Sequence, residues 1–484
     1  MKALSVLGCG SGAGKSWITT ALCAWLHGEG IRVAPFKAQN MSNNAWVTLD
    51  GGEIGRAQAV QSEACGLTPT VQMNPILLKP SGLQGSQVIV LGQSQGHCAA
   101  TDYYQRFDRL WQTVTEVLDG WRERCDVLVM EGAGSPVELN LSHRDLVNLR
   151  PCRYLDGRWV FVGDIDRGGI FAQLVGAWTL LSPQDRARGL GAIVNRFRGD
   201  ITLFADPQHW LEPHAPGFTV LGTLPYAAEL QPEEEDGLSH DDWTRGSGDV
   251  MAWVRFPCVS NLTDCQPWWA DGGVQVRWTA RAQDLLDARV IVLPGTKNTL
   301  ADLRWLRDSG LAEAIIAASK RGALVIGVCG GFQMLGEWLI DETGQAGDAG
   351  REPGLGLLPA ETRFESAKTL RQVTACCADD EWPAYEIHMG NTHTLSHVNA
   401  LQVVKDDAGA RPEGMRLGNV WGTYLHGWFD SPRLRARVAA AAGMNQHRPN
   451  PVPWTEQRSG IYRAMARHLA AHVNLDPIRR YLCL

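Results

Sequence analysis

The sequence lacks the features that mark membrane-spanning and nucleic-acid-binding proteins. Its apolar runs fall well short of the roughly 18 residues that a membrane-spanning helix needs. The opening residues, MKALSVLGCG, are too short for a signal peptide and run directly into a glycine-rich stretch. The net charge of -7 leaves no cationic surplus to attract a phosphate backbone. We therefore expect a cytoplasmic protein that has neither a membrane nor a nucleic acid as its partner.

A disulfide framework is also missing, although the chain carries 12 cysteines. The cysteines are scattered over 484 residues, and the adjacent Cys376 and Cys377 are poorly placed for a pair of bridges. Reduced thiols fit this distribution better, in agreement with a cytoplasmic location. The apolar content of 44% is that of an ordinary globular chain, and the length allows two or three domains.

Apolar runs alternate with helical patterns along most of the chain. The candidate strands are ALSVLG, IRVAPFK, CDVLVMEGAG, WVFVGDID and LGAIVNRF in the first half, and MAWVRFP, ARVIVLPG, GALVIGVCGG and NVWGTYLHG in the second. This alternation predicts an α/β fold in which crossover helices connect the strands of mostly parallel sheets.

Composition suggests where the domains begin and end. The acidic, polar stretch at 232–250 predicts a linker between a first α/β domain at 1–231 and a second at 251–434, with a surface loop as the alternative. The remaining residues, 435–484, predict a helical tail. In this tail an apolar residue recurs every fourth position, at Ile461, Met465, Leu469 and Val473.

A glycine-rich loop follows the first predicted strand. Its sequence, GCGSGAGKS, predicts an ATP site formed by Gly8, Gly10, Gly12, Gly14, Lys15 and Ser16. Backbone N–H groups and the N-terminus of the next helix attract a phosphate, and the lysine adds a positive charge. The serine hydroxyl is a predicted Mg²⁺ ligand.

Two polar residues follow other strands of the same predicted sheet. Glu131 ends an apolar run and precedes a glycine turn, and Asn195 lies in AIVNRFRGD. Because the strand ends of a parallel sheet face the ligand crevice, we expect Glu131 to complete the metal site with Ser16. Asn195 is a candidate to contact the nucleotide base through its amide.

Five residues separate Gly8 from Gly14, one more than in the common GxxxxGK[ST] loop. The longer loop resembles that of dethiobiotin synthetase and its relatives, which phosphorylate a carboxylate or a carbamate. An amine can displace phosphate from an acyl phosphate, so the resemblance implies amide formation and requires a source of the amine.

A cysteine framed by glycines suggests that source. In ALVIGVCGGFQMLG, Cys329 stands between a predicted strand and a helix, in the GxCxG pattern of a nucleophile elbow. The N–H of Gly330 is a predicted oxyanion donor, and Gly295 in LPGTKNT offers a second one. A buried structural cysteine is the alternative.

A nucleophilic cysteine needs a base, and His426 in GTYLHGWFD directly follows an apolar strand. His388 and His393 in YEIHMGNTH are competing candidates, and their spacing also suggests a metal site. No nearby cysteine or carboxylate cluster completes a tetrahedral set, which disfavours the metal alternative.

Several stretches together identify a family. They are PFKAQNMSNNA (35–45), EIGRAQAVQ (53–61), MNPILLKPSG (73–82), EGAGSPVELNL (131–141), DIDRGGIFA (164–172), NRFRGD (195–200), LPGTKNT (293–299), GVCGGFQMLG (327–336), YEIHMGNT (385–392) and GTYLHGWFD (422–430). Over residues 1–434 the sequence closely resembles the cobyric acid synthase family.

The resemblance implies a dethiobiotin-synthetase-like ATP domain fused to a class I, triad-type glutamine amidotransferase domain. It also implies ATP-dependent amidation of carboxylates b, d, e and g of adenosylcobyrinic a,c-diamide, with Cys329 as nucleophile and His426 as base. Many triad enzymes carry a glutamate two residues after the histidine, but Trp428 stands there, so Asp430 and Glu386 are the candidates for the orienting acid.

A corrinoid with several carboxylates requires cations and amides around it. The candidate substrate residues are Lys37, Gln39, Asn40, Ser42, Asn43, Asn44, Lys79, Asp164, Asp166 and Arg167. A polar turn is the alternative for the NMSNN run.

Three alternatives to this function remain. The a,c-diamide synthase of the same pathway shares both domains, although KAQNMSNN favours cobyric acid synthase. A P-loop positioning ATPase usually carries a second lysine in the loop, where this chain has only Lys15, and would leave Cys329 without a role. An enzyme with a degenerate glutaminase would use free ammonia.

Overall fold

The computed structural model describes residues 1–80, 85–232, 242–345 and 349–484, and the chain divides into two units. The first unit contains Met1–Ser42, the chain from Gly52 to the gap at 233–241, and Arg458–Leu484. The second unit contains Asn43–Gly51 and the chain from that gap to Gln457.

The strands, in chain order, are β1 (Lys2–Gly8), β2 (Val33–Phe36), β3 (Gln39–Met41), β4 (Ala45–Val47), β5 (Glu53–Gly55), β6 (Ile76–Pro80), β7 (Ser86–Val90), β8 (Gln93–Cys98), β9 (Val127–Glu131), β10 (Arg158–Asp164), β11 (Gly189–Phe197), β12 (Val220–Pro225), β13 (Trp243–Gly246), β14 (Asp249–Val254), β15 (Val274–Thr279), β16 (Val290–Leu293), β17 (Leu324–Val328), β18 (Trp338–Asp341), β19 (Gly350–Pro353), β20 (Ala360–Cys377), β21 (Asp380–Thr394), β22 (Gln402–Asp406), β23 (Gly409–Glu413), β24 (Met415–Leu417), β25 (Val420–Thr423) and β26 (Leu425–His426).

The α-helices are α1 (Lys15–Gly28), α2 (Arg56–Ala64), α3 (Ala100–Gln105), α4 (Phe107–Trp121), α5 (Leu149–Tyr154), α6 (Ile170–Leu180), α7 (Pro183–Arg186), α8 (Pro207–Leu211), α9 (Thr299–Asp308), α10 (Leu311–Lys320), α11 (Gly330–Leu335), α12 (Pro432–Ala441), α13 (Trp454–His472) and α14 (Asp476–Leu482). Within the described ranges, no helix has the length and apolar character needed to span a membrane.

The main sheet of the first unit is parallel and has the order β12-β11-β10-β1-β9-β2. It contains all the strands predicted from the first half of the sequence. Alternate residues of β1 pack on opposite faces: Leu4 and Val6 share a core with Ile18 of α1, whereas Ala3 and Leu7 belong to a second core. The carboxyl ends of β1, β9, β10 and β11 therefore meet along one edge, where such sheets bind their ligands.

The predicted apolar face of the C-terminal helix is confirmed. Met465 and Leu469 of α13 are fully buried in the core that contains Ile18, and Val473 follows them into it. Ile461 is half-buried at the edge of the same core. The end of the chain thus completes the first unit.

The second unit contains the other parallel sheet, of order β13-β15-β14-β16-β17-β25-β24. Strands β14, β15, β16, β17 and β25 run parallel, and the edge strands β13 and β24 are antiparallel to their neighbours. A further sheet is built on the long antiparallel hairpin of β20 and β21, for which the sequence pattern gave no prediction. The predicted α/β class holds for both units.

The predicted domain boundaries differ from this division in three places. Segment 43–51 interrupts the first domain and belongs to the second unit. Part of the predicted linker lies outside the described residues, at 233–241, but Trp243–Gly246 forms an edge strand paired with β15. The predicted tail is divided, because α12 belongs to the second unit and Arg458–Leu484 to the first.

Candidate functional site

The glycine-rich loop joins β1 to α1, as predicted. Gly14 has a φ of 96°, in the left-handed region that favours glycine, and α1 begins at the next residue. Lys15 Nζ donates hydrogen bonds to the carbonyl oxygens of Gly10 at 2.7 Å and Gly134 at 3.0 Å. The lysine therefore holds its charge within the loop, beside the helix N-terminus to which a phosphate binds.

Glu131 ends β9 beside this loop. Its Oε1 accepts hydrogen bonds from Ser16 Oγ at 2.8 Å and Lys37 Nζ at 2.9 Å, and its Oε2 accepts one from Gln61 Nε2 at 2.5 Å. Burial favours the protonated carboxyl, but the charge of Lys37 and the three hydrogen bonds outweigh burial and lower the pKa of Glu131. Ser16 and Glu131 thus lie together as predicted and present the oxygen ligands that Mg²⁺ prefers.

A cavity of about 320 Å³ opens at this edge of the sheet. Its lining includes Gly12, Gly14, Lys15, Ser16, Lys37, Asn40, Glu131 and Asn195. Gly8 and Gly10 complete the loop without lining the cavity, and a Cβ at Gly8 would lie 3.0 Å from Cγ of Lys15. The cavity therefore brings Gly12, Gly14, Lys15, Ser16, Glu131 and Asn195 around one space.

Asn195 also supports the loop. Its Nδ2 donates to the carbonyl oxygen of Ala13 at 3.0 Å, and a Cβ at Gly14 would overlap this amide. The side chain thus lies at the predicted site, with its amino group engaged by the loop backbone.

The candidate substrate residues divide between the two units. Lys37, Gln39, Asn40, Ser42, Lys79, Asp164, Asp166 and Arg167 lie in the first, and Asn43 and Asn44 lie in the second. Many are engaged by neighbouring side chains. Lys79 forms a buried ion pair with Glu53 at 2.7 Å, and Asp164 pairs with Arg196 at 3.1 Å. The structure therefore does not bring all the candidates into one cradle within a single unit.

Cys329 occupies the predicted elbow between β17 and α11. It has a φ of 52°, unusual for a residue other than glycine, and its N–H donates to the carbonyl oxygen of Thr423 at 2.8 Å. The turn depends on glycine because a Cβ at Gly331 would overlap the carbonyl oxygen of Leu293. This strained turn places Sγ 3.4 Å from the carbonyl oxygen of Ile387, on β21.

The oxyanion candidates lie beside the elbow. A Cβ at Gly330 would be 3.1 Å from the backbone nitrogen of Thr296, and a Cβ at Gly295 would be 3.1 Å from Cε1 of His426. The turn after β16 and the start of α11 therefore approach each other next to the histidine. Gly330 and Gly295 therefore lie on neighbouring segments beside the elbow.

His426 is fully buried at the end of β26. Its Nδ1 lies 2.7 Å from Oδ2 of Asp264, and Oδ1 of Asp264 accepts a hydrogen bond from the N–H of Gly427 at 2.9 Å. Asp264 thus holds the position for which Asp430 and Glu386 were the candidates, and that expectation is corrected. Glu386 is instead paired with Arg411 at 2.5 Å.

The electrostatics of His426 reflect this partner. Burial alone would lower the pKa of His426, but the Asp264 carboxylate and the neighbouring Cys329 sulfur raise it to about 10. The three side chains therefore form a Cys–His–Asp constellation in which the imidazole readily holds a proton.

No sequence motif marks Asp264. Asp264 lies in a 3₁₀ segment, Leu262–Ala270, that carries no motif of its own. In the chain, 162 residues separate Asp264 from His426. The preceding Asn261 has a φ of 54°, and the turn it starts directs the carboxylate to the imidazole.

A second cavity, of about 360 Å³, lies in the same unit. Its titratable lining residues include Arg371, Glu386, His388, Arg411 and Glu413, and Phe332 of α11 and Tyr424 also border it. Burial raises the pKa of Glu413 to about 7, although the N–H of Tyr424 donates to this carboxylate at 2.7 Å. The lining offers both positive and negative groups to a ligand.

His388 lines this cavity. Its Nδ1 lies 2.8 Å from the carbonyl oxygen of Gly390, and its ring stacks on Tyr424 with centroids 3.7 Å apart. Burial lowers the pKa of His388 to about 4, so the ring is neutral at pH 7. Among the described residues, no group of three or more candidate ligands is arranged to bind a metal, and His393 forms no such group.

A P-loop unit and a glutaminase-type Cys–His–Asp unit in one chain define the class of glutamine-hydrolysing amidotransferases that act as ligases. The model of the CobB/CobQ-like glutamine amidotransferase domain matches residues 250–434. The model of the CobQ/CobB/MinD/ParA nucleotide-binding domain matches residues 4–239. The first range contains β15, β16, β17, β24 and β25, and the second contains β2, β9, β10, β11 and β12.

Curated relatives resemble the whole chain. A cobyric acid synthase of Roseiflexus castenholzii is 43% identical over 98% of this chain and 98% of its own length. The cobyric acid synthase of Variovorax paradoxus is 45% identical over 91% of this chain and 94% of its own length. That of a Synechocystis species is 40% identical over 100% of this chain and 99% of its own length. The chain belongs to the cobyric acid synthase family.

Proposed function

We propose that this protein amidates carboxylates b, d, e and g of adenosylcobyrinic a,c-diamide to give adenosylcobyric acid, with ATP as the energy source and glutamine as the nitrogen donor. The observation that carries the proposal is the presence of both the Lys15–Ser16–Glu131 site and the Cys329–His426–Asp264 site in one chain. The relatives named cobyric acid synthase, which match nearly all of the chain, supply the substrate.

The first reaction releases ammonia from glutamine. Sγ of Cys329 attacks the side-chain carbonyl carbon, and His426 transfers the thiol proton to the departing nitrogen. Water then clears the thioester as glutamate. Asp264 holds the imidazole through Nδ1, so that Nε2 is the nitrogen available to receive and return the proton.

Backbone donors stabilise the oxygen of the tetrahedral intermediate. The N–H groups of Gly330 and Gly295 serve this role, because the elbow and the 295–296 turn lie side by side. Gly330 begins α11, and the carbonyl oxygen of Gly295 accepts a hydrogen bond from the N–H of Ser260 at 2.9 Å, so both residues are held before the substrate binds, which avoids the cost of reorganising them during the reaction.

The cavity near the elbow suits the rest of the glutamine molecule. An α-carboxylate pairs well with a guanidinium, such as that of Arg371 or Arg411, and an α-ammonium pairs with Glu386. Tyr424 connects this cavity to the elbow, because its hydroxyl is 3.4 Å from Nε2 of Gln333 in α11.

The second reaction uses the first unit. ATP binds with its phosphates on the loop at Gly8–Ser16, and Asn195 contacts the adenine. The Ser16 hydroxyl and the Glu131 carboxylate fit Mg²⁺, because they are oxygen ligands 2.8 Å apart at the phosphate loop. When bound, Mg²⁺ neutralises the charge that develops on the transferring phosphoryl group.

An acyl phosphate connects the two reactions. A carboxylate oxygen of the corrinoid attacks the γ-phosphorus of ATP, and ADP departs. Ammonia then attacks the activated carbonyl carbon, loses a proton and displaces inorganic phosphate. The charge of Lys37 beside Glu131 stabilises the phosphoryl oxygens, and Asn40 in the same cavity is a donor for the corrinoid.

The remaining substrate candidates are Gln39, Ser42, Asn43, Asn44, Lys79, Asp164, Asp166 and Arg167. We assign them to recognition of the corrinoid side chains. A cytoplasmic location agrees with the cysteines, since all 12 are free thiols.

Mass spectrometry tests the proposal. Adenosylcobyrinic a,c-diamide is incubated with the protein, glutamine and MgATP, and the carboxylates converted to amides are counted. Four conversions, with matching release of glutamate and phosphate, support cobyric acid synthase activity. Double amidation of cobyrinic acid instead would identify an a,c-diamide synthase. Amidation of neither substrate would overturn the assignment to corrinoids.

A further inference from the structure

A single residue, Tyr424, separates β25 from β26, and there the chain passes from one sheet to another. β25 ends at Thr423 and pairs with β17 in the parallel sheet. β26 ends at His426 and pairs with β21 in the sheet of the long hairpin. Tyr424 is only 8% exposed, so its backbone N–H requires a partner within the protein.

Glu413 is that partner. Its Oε1 accepts the N–H of Tyr424 at 2.7 Å, and its Oε2 accepts the hydroxyl of Thr423 at 2.8 Å. The carboxylate is buried at the end of β23. The next residue, Gly414, packs closely on β25, since a Cβ there would overlap the carbonyl oxygen of Gly422. One carboxylate thus holds two consecutive residues of the junction between β25 and β26.

This junction holds both reacting side chains of the proposed glutaminase site. The carbonyl oxygen of Thr423 accepts the N–H of Cys329 at 2.8 Å, at the strained turn. His426 follows Tyr424 by two residues. The position of the thiol relative to the imidazole therefore depends on the backbone of residues 423–426.

A second contact leads from Glu413 to the chain beyond the histidine. Nε2 of Gln402, the cross-strand neighbour of Glu413, donates to Oε2 of Glu413 at 2.7 Å. Oε1 of Gln402 accepts the indole N–H of Trp428 at 2.6 Å. An indole N–H can only donate, so Trp428 fixes which end of the Gln402 amide faces the carboxylate. Glu413 is therefore connected to the chain on both sides of His426.

These contacts suit the ionised form of Glu413. The N–H of Tyr424, the hydroxyl of Thr423 and the amide of Gln402 all donate to its two oxygens. A carboxylate accepts all three, whereas a protonated carboxyl group would turn a hydrogen toward one of these donors. The Tyr424 phenol stays neutral, because burial raises its pKa.

The charged and titratable groups around Glu413 come from three strands. Arg371 lies on β20, Glu386 and His388 lie on β21, and Arg411 lies on β23. Glu386 is paired with Arg411, and His388 is neutral at pH 7. Burial is the main cause that raises the pKa of Glu413 to about 7, and the charge of Glu386 adds to it. The junction therefore loses its carboxylate on mild acidification.

We propose that Glu413 is a positioning residue for the glutaminase reaction, whose carboxylate fixes the junction between β25 and β26 and thereby holds Cys329 and His426 in register for proton transfer. The inference rests on the proposed roles of Cys329 and His426. Glu413 acts on them through Thr423 and Tyr424. Loss of the carboxylate loosens the junction and slows the attack of the thiol on glutamine.

The test uses the full-length protein, the variant Glu413→Gln and the exchange variant Glu413→Gln/Gln402→Glu. In Glu413→Gln, either orientation of the new amide sets its amino group against a donor, the N–H of Tyr424 or the amide of Gln402. Trp428 keeps Gln402 from reversing. In the exchange variant, the carboxylate at position 402 accepts both the new amide and the indole N–H of Trp428.

Glutamate release is measured as a function of pH with glutamine, MgATP and adenosylcobyrinic a,c-diamide. In the wild-type protein, kcat should fall as the pH drops through about 7. His426 holds its proton up to a pKa of about 10 and does not contribute to this change. Glu413→Gln should lower kcat about tenfold, leave the KM for glutamine nearly unchanged and remove the titration near pH 7.

The exchange variant should recover most of the wild-type kcat, with its acid limb displaced from pH 7 because the carboxylate has new neighbours. Amidation with ammonium chloride should be unchanged in both variants. Glu381→Gln is the matched control, since Glu381 lies on β21, is exposed and pairs with Lys405. This control should leave kcat and the pH profile unchanged.

Cys329→Ser separates failure of the inference from failure of the proposed function. If glutamate release survives Cys329→Ser, the proposed catalytic site is wrong. If it does not, but Glu413→Gln raises the KM and leaves kcat and the acid limb unchanged, Glu413 binds glutamine and the positioning role is overturned.

An equal loss of kcat in Glu413→Gln and the exchange variant, with the acid limb kept in both, would mean that Glu413 is only structural and would also overturn the inference. If Glu413→Gln does not fold, the exchange variant decides: recovered kcat with a displaced acid limb supports the inference, and an acid limb that stays at pH 7 overturns it.

Discussion

Oδ2 of Asp264 lies 2.7 Å from Nδ1 of His426, although 162 residues separate them in the chain. The other carboxylate oxygen accepts the N–H of Gly427, so the carboxylate is held from two sides. This contact fixes the imidazole in its plane and selects Nε2 as the reactive nitrogen.

Replacement Asp264→Asn should reduce glutamine-dependent amidation by roughly a thousandfold or more, because the amide no longer stabilises the imidazolium or selects its tautomer. Amidation with ammonium chloride should persist, since the first unit is untouched. Both rates are measured with the same corrinoid. Asp430→Asn is the matched control and should behave as the wild-type protein; the reverse pattern would return the role to Asp430.

Loss of the proton from His426 at alkaline pH should lower the stability of the second unit. The folded-state pKa is about 10, above the ordinary value of 6.5. The charge of the imidazole thus contributes stability that is fully present below pH 6.5 and is lost as the pH rises through about 10. Denaturant unfolding at pH 6, 8 and 10 measures this loss.

Asp264→Asn provides the comparison for that measurement, because it removes the main source of the raised pKa. Its free energy of unfolding should be lower at pH 6 and should change less between pH 6 and 10 than that of the wild-type protein. Equal pH dependence in the two proteins would mean that Asp264 does not raise the pKa of His426.

Ser16→Ala should weaken the binding of Mg²⁺ to the first unit. The Mg²⁺ concentration that gives half-maximal amidation should rise about tenfold, because one oxygen ligand is lost from the site beside Glu131. Ammonium-dependent amidation should fall as much as the glutamine-dependent reaction, unlike the result for Asp264→Asn. A Mg²⁺ dependence identical to that of the wild-type protein would exclude Ser16 as a ligand.

Arg411→Gln should raise the KM for glutamine by about tenfold or more, because a charged hydrogen-bond donor to the α-carboxylate is lost. The rate with ammonium chloride should not change. Arg416→Gln is the control, since Arg416 lies over Trp421 at 4.8 Å and does not line the cavity. A KM that is unchanged in Arg411→Gln would exclude Arg411 as the partner of the α-carboxylate.

Local sequence was sufficient to predict the parts of the site that a single turn forms. Gly14, Lys15 and Ser16 follow one strand, and Cys329 with Gly330 follows another, so the backbone conformation of a few residues determines each feature. Glu131 was predictable because it ends an apolar strand of the same sheet. Periodicity likewise predicted the buried face of α13.

Contacts between distant segments were not predictable in this way. The buried ion pair of Lys37 with Glu131 joins residues that are 94 positions apart in the chain, and no sequence pattern predicted it. The hairpin of β20 and β21 was missed because its sequence has no simple apolar alternation, and its stability depends on pairing with its partner strand.

The sequence by itself determined the phosphate loop, the strained cysteine turn and the alternation of strands and helices, because steric limits and hydrophobic periodicity act over short distances. Tertiary structure alone decided that Asp264 orients His426 and that segment 43–51 leaves its own half of the chain to contact Asn261. Such contacts depend on which elements pack together, since hydrogen-bond geometry is a property of positions in space and leaves no fixed spacing in the sequence.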